Sequence, residues 1–476
     1  MIYSPAAGAD FFAAADLPGG IILLKKYLRS FVLGAVVVIG GSGTAFAETV
    51  QLTLADSVQM ALDQDGTIQK AEAAEEAARW SLSAARRSAG PSLQWSSNAL
   101  GNGGRDYRKA PNMDSTYGNT LGVQMPLYTG GRIEGNIKRY EYELNAADLQ
   151  IEGTRQAVRY KAVAAYYDVL QKKNLLSVSE SAVHMAEEEL RIIQVQFGEG
   201  TVARSDVIRM ETQMAEYQQN KMEAKGNLEV ALFTLRSCLG LDRNVDIELV
   251  DSLGYEMYDK NLQDCLSYAF ANRPDGLAAA YKIKAAEAAK DAEKAGNRPT
   301  ISGVANRNIV GNDPFKQERN SNWQYGVQMT WNFFDNNVTA AKVNAAKAAI
   351  EQQKADAYET EKLITLQTET VYTKMRAAED RIKVAEKAID LAEKSHELAK
   401  VRYEEGVDIL VNVTDAQEKL TQARTKYVTA LYEYNINKAA LEQAIGVPVY
   451  FNAERYVENV AAGKSSRKAV EAARID

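Results

Sequence analysis

The stretch LGVQMPLYTGGR at residues 121–132 decides the fold, because its first part is repeated in YGVQMTWNFF at residues 325–334. In the first copy Leu121, Val123 and Met125 alternate with glutamine and glycine. This period of two is typical of a β-strand with one apolar and one polar face. Such a strand can lie between lipid and water.

Further strands are predicted around these two copies. In the second copy the alternation runs from Trp323 to Phe333, and its aromatic residues fit an interfacial girdle. A weaker strand is predicted before each copy, at residues 92–100 and 300–309, with a Gly/Asn-rich turn between the members of each pair. The alternative to a membrane location is that these strands form the edge of a water-soluble β-sandwich.

Most of the chain consists of two copies of one sequence unit. LADSVQMAL at residues 54–62 is answered by LQDCLSYAF at 262–270, and QFGEG at 196–200 by RYEEG at 402–406. The offset between copies stays between 204 and 208 residues. This period is far longer than that of a solenoid repeat, so one large unit has been duplicated.

A long helical stretch follows each strand pair, at residues 132–197 and 338–403, and would extend about 100 Å. Shorter returning helices are predicted at 205–239 and 410–444. Apolar residues recur at every seventh position, which predicts left-handed coiled coils, and the many alanines imply close packing. The columns comprise Ile137, Leu144, Ile151, Val158, Ala165, Lys172, Ser179, Ala186 and Ile193, and Val343, Ile350, Ala357, Ile364, Val371, Ala378, Ala385, Ala392 and Ala399.

The chain begins with a basic cluster, an apolar stretch and the small-residue site Ala45-Phe46-Ala47, which together predict a cleaved signal peptide. An uncleaved anchor is the alternative. The predicted segments are the signal peptide 1–47, a first structural repeat 48–240, an equatorial linker 241–261, a second structural repeat 262–447 and an equatorial C-terminal tail 448–476.

Composition excludes several classes of function. The formal net charge is −7 with no Lys/Arg-rich stripe, so no nucleic-acid partner is expected. The two histidines, His184 and His396, fall on long helices and are expected to be solvated, and no catalytic or metal-binding motif occurs. We therefore expect neither an enzyme nor a cofactor or metal. Cys238 and Cys265 could form a disulfide or remain as two buried thiols.

Beyond residue 48 no apolar run is long enough for a membrane-spanning helix, so the strands must meet the membrane. Four strands cannot close a barrel, and open edges are not tolerated in lipid. Several protomers must therefore share one barrel. Two chains would give a filled eight-stranded barrel, whereas three would give twelve strands around a lumen.

Several motifs of the chain are similar to those of one known family. The motifs RSAGPSLQW and AGNRPTISG, the strand end VQMPLYTGGR, the segments QFGEGTVARSDV and RYEEGVDILVNVTDA, and the closing ALEQAIGVP resemble the TolC family of outer-membrane efflux and secretion channels. The resemblance covers nearly all of the mature chain. It implies a mixed α/β membrane protein in which a homotrimer builds a twelve-stranded outer-membrane β-barrel, a periplasmic α-barrel of coiled-coil helices and a small equatorial domain.

The resemblance also implies partners and function. The protein would be a passive exit duct of a tripartite efflux pump or a type I secretion system, opened by a periplasmic adaptor and an inner-membrane transporter. The family's small-residue docking tips match Gly200-Thr201 and Gly406-Val407. The residues specify no substrate, so specificity is expected in the inner-membrane partner. A fibrous coiled-coil protein or adhesin is the alternative, but it leaves the paired strands unexplained.

Five further positions correspond to the family's periplasmic entrance, and two of them depart from the family's residues. Asn412 and Asp415 lie where the family places two acidic rings, of which only Asp415 keeps the charge. Tyr403 and Asp206 match a hydrogen-bonded latch between the inner and outer coiled coils. Asp408 replaces an arginine of the family, so we expect the companion ion pair to be absent and Asp408 to repel Asp206, with the neighbouring Arg204 as a candidate compensating charge.

Overall fold

The computed structural model describes residues 49–101, 115–311 and 320–475. The predicted signal peptide and the hairpin turns at 102–114 and 312–319 lie outside the described residues. The first half contains β1 (Thr49–Leu52), α1 (Leu54–Gln64), α2 (Gly66–Arg87), β2 (Ser92–Gly101), β3 (Ser115–Tyr128), α3 (Arg132–Gly198), α4 (Arg204–Leu239) and β4 (Asp246–Leu249). The second half contains α5 (Leu262–Asn272), α6 (Pro274–Glu293), a 3₁₀ turn (Lys294–Asn297), β5 (Thr300–Gly311), β6 (Asn320–Thr330), α7 (Val338–Glu404), α8 (Leu410–Ala444), α9 (Ala453–Ala461) and α10 (Ser466–Ala473).

The two long helices have equal length. Helices α3 and α7 each contain 67 residues, and their predicted limits are confirmed to within one residue. Each begins directly after two residues with positive φ, Gly130-Gly131 in the first half and Asn336-Asn337 in the second. Glycine and asparagine adopt this conformation at low cost, so the same sharp turn from strand to helix forms twice.

The seven-residue columns form the packing surface of the helices. Every position of both columns is buried or half-buried, Lys172 and Ser179 included. Helix α3 packs against its returning partner α4, α7 packs against α8, and α3 also packs against α8. The two helical hairpins of one chain are therefore joined along the α3–α8 seam.

The strands form one antiparallel sheet in the order β2-β3-β5-β6. Its register gathers most of the apolar residues of the strands on one face, for example Leu93, Val123, Ala305 and Tyr325 in a single row. This register explains the poor alternation predicted for β5: Val304 and Val310 lie on the opposite face, and the apolar face carries Gly303, Ala305 and Arg307 as well as Ile301.

One predicted strand limit was wrong. Strand β6 ends at Thr330, so Trp331 and Phe333 lie beyond it, although both remain exposed. Thr330 pairs with Thr300, which is the first residue of β5. The residue before Thr300 is Pro299. Proline has no backbone N–H, so the ladder cannot continue. The indole of Trp331 instead donates to the carbonyl of Asn297 over 3.2 Å.

A separate small assembly of short strands and the C-terminal tail packs against α3. Strand β1 pairs in parallel with β4, which the sequence analysis did not predict for residues 49–52. The C-terminal tail binds α3 through Glu152, whose carboxylate accepts backbone N–H bonds from Val449 at 2.6 Å and Tyr450 at 3.1 Å. Deeper in the same contact, buried Asp148 accepts a hydrogen bond from Tyr456 at 2.7 Å.

Two further points concern the described residues. Cys238 and Cys265 are buried free thiols in different core clusters, which settles the alternative that the sequence left open. None of the helices in the described ranges combines the length and the apolar character needed to cross a bilayer.

Candidate functional site at the helical tips

The two helical hairpins turn in the same way. Gly200 and Gly406 have φ of +77° and +72°, and each is followed by a backbone bond that closes the preceding helix. Thr201 N–H donates to the Gln196 carbonyl and Val407 N–H to the Arg402 carbonyl, both at 3.0 Å. This is the Schellman arrangement, in which the left-handed position favours glycine. A Cβ atom built at either glycine meets no atom within 4 Å, so both turns present open surfaces.

Asp408 has a different environment from the one expected. Its carboxylate accepts hydrogen bonds from Asn412 Nδ2 at 2.5 Å and from the Ile409 backbone at 2.8 Å, and Arg402 Nε lies 3.3 Å away. These hydrogen bonds, with the Arg402 charge, hold the pKa of Asp408 below its usual range. Asp408 is thus held within its own hairpin by Arg402, a partner that the sequence did not predict, and its repulsion of Asp206 stays a prediction.

Asn412 and Asp415 lie one turn apart on the exposed side of α8. Asn412 is engaged by Asp408, whereas Asp415 makes no hydrogen bond or ion pair with any residue that the structure describes. The same exposed side continues with polar residues at Lys419 and Gln422. The only carboxylate free to act on a passing ion from this pair of positions is that of Asp415.

Tyr403 contacts a residue that the sequence analysis did not name. Its hydroxyl donates to Gln196 Oε1 on α3 over 3.4 Å, rather than to Asp206. Burial and the negative charge of Asp206 raise the pKa of the Tyr403 phenol, so Asp206 is close without forming the expected bond. Within one chain, Tyr403 thus joins the two helical hairpins through an amide. Its role as a latch remains a prediction.

A second polar contact lies one heptad away from the tip. His396 on α7 and Glu189 on α3 approach to 3.2 Å, and both side chains are largely buried, with 14% and 8% exposed. The expectation that His396 is solvated was therefore wrong, whereas His184 is exposed. Glu189–His396 and Gln196–Tyr403 share one offset of 207 residues. A signal was present, because Glu189 and Gln196 each stand three residues after an apolar column position.

Across the described residues, no group of His, Cys, Asp and Glu side chains is arranged to hold a metal ion. What the tips offer is shape and charge: two open turns, the free carboxylate of Asp415 and two polar contacts between hairpins. The duplicated fold that carries them matches the family model described as Outer membrane efflux protein, over residues 57–241 and 265–447. The chain belongs to the outer membrane efflux protein family.

Individual relatives are distant in sequence but similar along their length. Outer membrane efflux protein BepC of Brucella suis biovar 1 (strain 1330) is 20% identical over 344 residues, which cover 71% of this chain and 74% of BepC. A membrane protein from Pseudomonas aeruginosa has a TM-score of 0.74 at 19% identity and covers 84% of this chain and 91% of its own. VceC of Vibrio cholerae has a TM-score of 0.72 at 18% identity, with 83% and 96% covered.

Membership confirms the resemblance to the TolC family that the motifs indicated. This efflux protein is an outer-membrane exit duct with a large periplasmic extension, and its relatives are channel proteins and not enzymes. The sheet is the membrane-facing part of the efflux protein, and α3, α4, α7 and α8 are the helices of its tunnel.

Proposed function

We propose that the efflux protein acts as a homotrimer, a passive duct without chemistry of its own, in a tripartite efflux pump. The observation that carries this proposal is the sheet with two open edges: within the described ranges, β2 and β6 each pair on one side only. Unpaired backbone groups are costly in a lipid bilayer, so other copies must cover both edges. Three copies supply twelve strands, enough to surround a lumen.

The tunnel helices support the same assembly. Helices α4 and α7 expose large apolar side chains that a single chain leaves uncovered, whereas α8 exposes none. On α7 the exposed residues Val384, Leu391 and Leu398 repeat every seven positions, which is a coiled-coil seam without a partner. We infer that α7 of one protomer packs against α4 of the next, and that the polar side of α8 faces the water-filled lumen. The exposed large apolar residues of α4 are Ile208, Met222, Val230 and Phe233.

The partners follow from the tips. The open turns at Gly200-Thr201 and Gly406-Val407 allow a helical hairpin of a periplasmic adaptor to approach closely. The adaptor would connect the duct to an inner-membrane transporter, which supplies energy and selects the substrate. A type I secretion transporter remains the alternative partner for the same duct.

The assembly is tested by photo-crosslinking. A benzophenone amino acid at Leu391, on the α7 seam, should give covalent dimers and trimers whose crosslinked peptides map to α4. The same amino acid at Gln422, on the polar side of α8, is the matched control and should give none. Equal crosslinking at both positions, or crosslinks at Leu391 to another helix, would contradict the arrangement.

Conductance tests the passive role. Purified trimers in planar bilayers should form channels without an energy source, and export in cells should require a co-expressed adaptor and transporter. Trimers that assemble but conduct no ions under any applied voltage would favour the fibrous alternative.

A further inference from the structure

The sheet carries a single charged residue in all four of its strands, Arg307 on β5. A lone charge in a membrane strand would be expected on the lumen side, where water solvates it. The register instead places Arg307 on the apolar face, in one cross-strand row with Trp95, Leu121 and Trp323. The side chain is exposed, and no protein group accepts a hydrogen bond from it within the described residues.

The row that contains Arg307 lies between an apolar part and a more polar part of this face. On one side lies the row of Leu93, Val123 and Tyr325, which is wholly apolar apart from the phenol oxygen. On the other side the next row contains three polar residues, Ser97, Asn119 and Ser321, with Ile309 as its one apolar member. Tryptophans flanking a barrel mark the interface between hydrocarbon and headgroups. Arg307 therefore lies at headgroup level, where a charge on the lipid face costs little.

The local geometry prepares the guanidinium for an anion. Its central carbon lies 5.1 Å from the centroid of the Trp323 ring, so the indole holds one face of the planar group by a cation–π contact. The edge with its N–H donors remains free. This fork matches two oxygens of one phosphate and gives strong charge-assisted bonds. A carboxylate from a neighbouring copy is not available from the strands, since none of them contains Asp or Glu.

We propose that Arg307, with Trp95 and Trp323 beside it, binds the phosphate of an anionic lipid headgroup in the outer-membrane leaflet. The proposal rests on the family's outer-membrane location and is independent of adaptor docking and gating. The site occurs once per chain, so a trimer would hold three such lipids around its barrel. They would fix the height of the barrel in the bilayer by anchoring one row of the sheet at the interface.

Quenching of tryptophan fluorescence by brominated lipids tests the site. Purified trimers are reconstituted in vesicles that contain either dibrominated phosphatidylglycerol or dibrominated phosphatidylcholine. The native protein should associate with the anionic lipid about tenfold more strongly at this site. Arg307→Gln should reduce the preference to about one, and Arg307→Lys should retain part of it because the charge remains without the fork.

Three comparisons make the outcome decisive. Arg191→Gln, an exposed arginine of the tunnel helix α3, is the matched control and should keep the native preference. Excess inorganic phosphate should leave the quenching unchanged; full competition would assign the site to free phosphate and overturn the lipid proposal. A preference that survives Arg307→Gln would also overturn it. Because Arg307→Gln trimers should still assemble and conduct, these failures are distinguishable from a failure of the duct itself.

Discussion

His396 on α7 reaches Glu189 on α3, with 3.2 Å between Nε2 and Oε1. The other carboxylate oxygen of Glu189 is buried and has no hydrogen-bond partner in the described residues. Removing the imidazole would leave the whole carboxylate buried and unpaired, which costs about 1–3 kcal/mol or more. The contact lies between the two hairpins, so we expect its loss to let the two hairpins separate more easily.

We therefore expect His396→Leu to loosen the α3–α7 contact and raise the open probability of single channels in planar bilayers. His396→Gln keeps a donor and should behave more like the parent. The double variant Glu189→Leu/His396→Leu removes both polar groups and should restore part of the loss. Glu189→Leu alone completes the cycle, and effects of the two single variants that simply add in the double variant would show that the pair is not coupled.

Tyr403→Phe should raise the open probability and sensitise cells to large antibiotics, without reducing the amount of assembled trimer. The variant removes the hydroxyl that bonds Gln196, a contact worth about 0.5–1.5 kcal/mol. Gln196→Ala separates two possible latches. If the bond within one chain holds the tip shut, Gln196→Ala reproduces Tyr403→Phe; if Asp206 is the partner in the trimer, Asp206→Asn does so instead. No change in conductance for all three variants would place the latch elsewhere.

Asp415→Asn should reduce cation preference and divalent-ion block, because it removes the one free carboxylate of the entrance pair, three per trimer. Asn412→Asp should have the opposite effect by adding a second acidic ring one turn away. Asp408→Asn is the matched control, since that carboxylate is already engaged by Asn412 and Arg402. Reversal potentials in a salt gradient measure all three, and a larger effect for Asp408→Asn would contradict the assignment.

Bulky residues at Gly200 and Gly406 should abolish export while trimers still assemble, because neither position has a neighbour within 4 Å. A non-glycine residue at positive φ costs about 1 kcal/mol, which α3 and α7 can absorb. Asparagine is the control, since it tolerates the left-handed conformation with a small side chain and should retain more export than tryptophan. Export and adaptor pull-down are measured together; undiminished export with tryptophan would exclude docking at these turns.

The contact of the C-terminal tail with α3 should weaken as the pH rises. Burial raises the pKa of Asp148 to about 6, while hydrogen bonds from Ser466 and Tyr456 act in the opposite direction. An acid whose pKa is raised by folding stabilises the fold below its folded pKa, and this contribution is lost as pH rises through about 6. The loss is about 3 kcal/mol in order of magnitude over the whole range from about pH 4 to pH 7, and about half of it falls above pH 5. Limited proteolysis of the tail at pH 5 and pH 8 detects it, and Asp148→Asn should reduce the dependence, leaving the part due to Glu152, whose pKa burial also raises.

Much of the architecture could be predicted from the sequence. Periodicity is a local property: 3.6 residues per helical turn and two per strand repeat place side chains on faces wherever the chain continues. The duplication, the limits of α3 and α7, the returning helices and the strands β2, β3 and β5 were therefore predicted closely. Strand β1 was missed because four residues are too few to show a period, and its partner β4 is almost two hundred residues away.

The pairings of individual side chains needed the tertiary structure. Arg402 with Asp408, and Glu189 with His396, depend on the relative rotation and axial shift of helices that other residues pack together. Arg307 lies on the apolar face because the register of β5 against β3 and β6 was set by the hydrophobic rows around it. A one-residue slip would have turned Arg307 toward the polar face. The sequence by itself thus determined the elements and their faces, whereas packing over long distances decided which charges and polar groups meet.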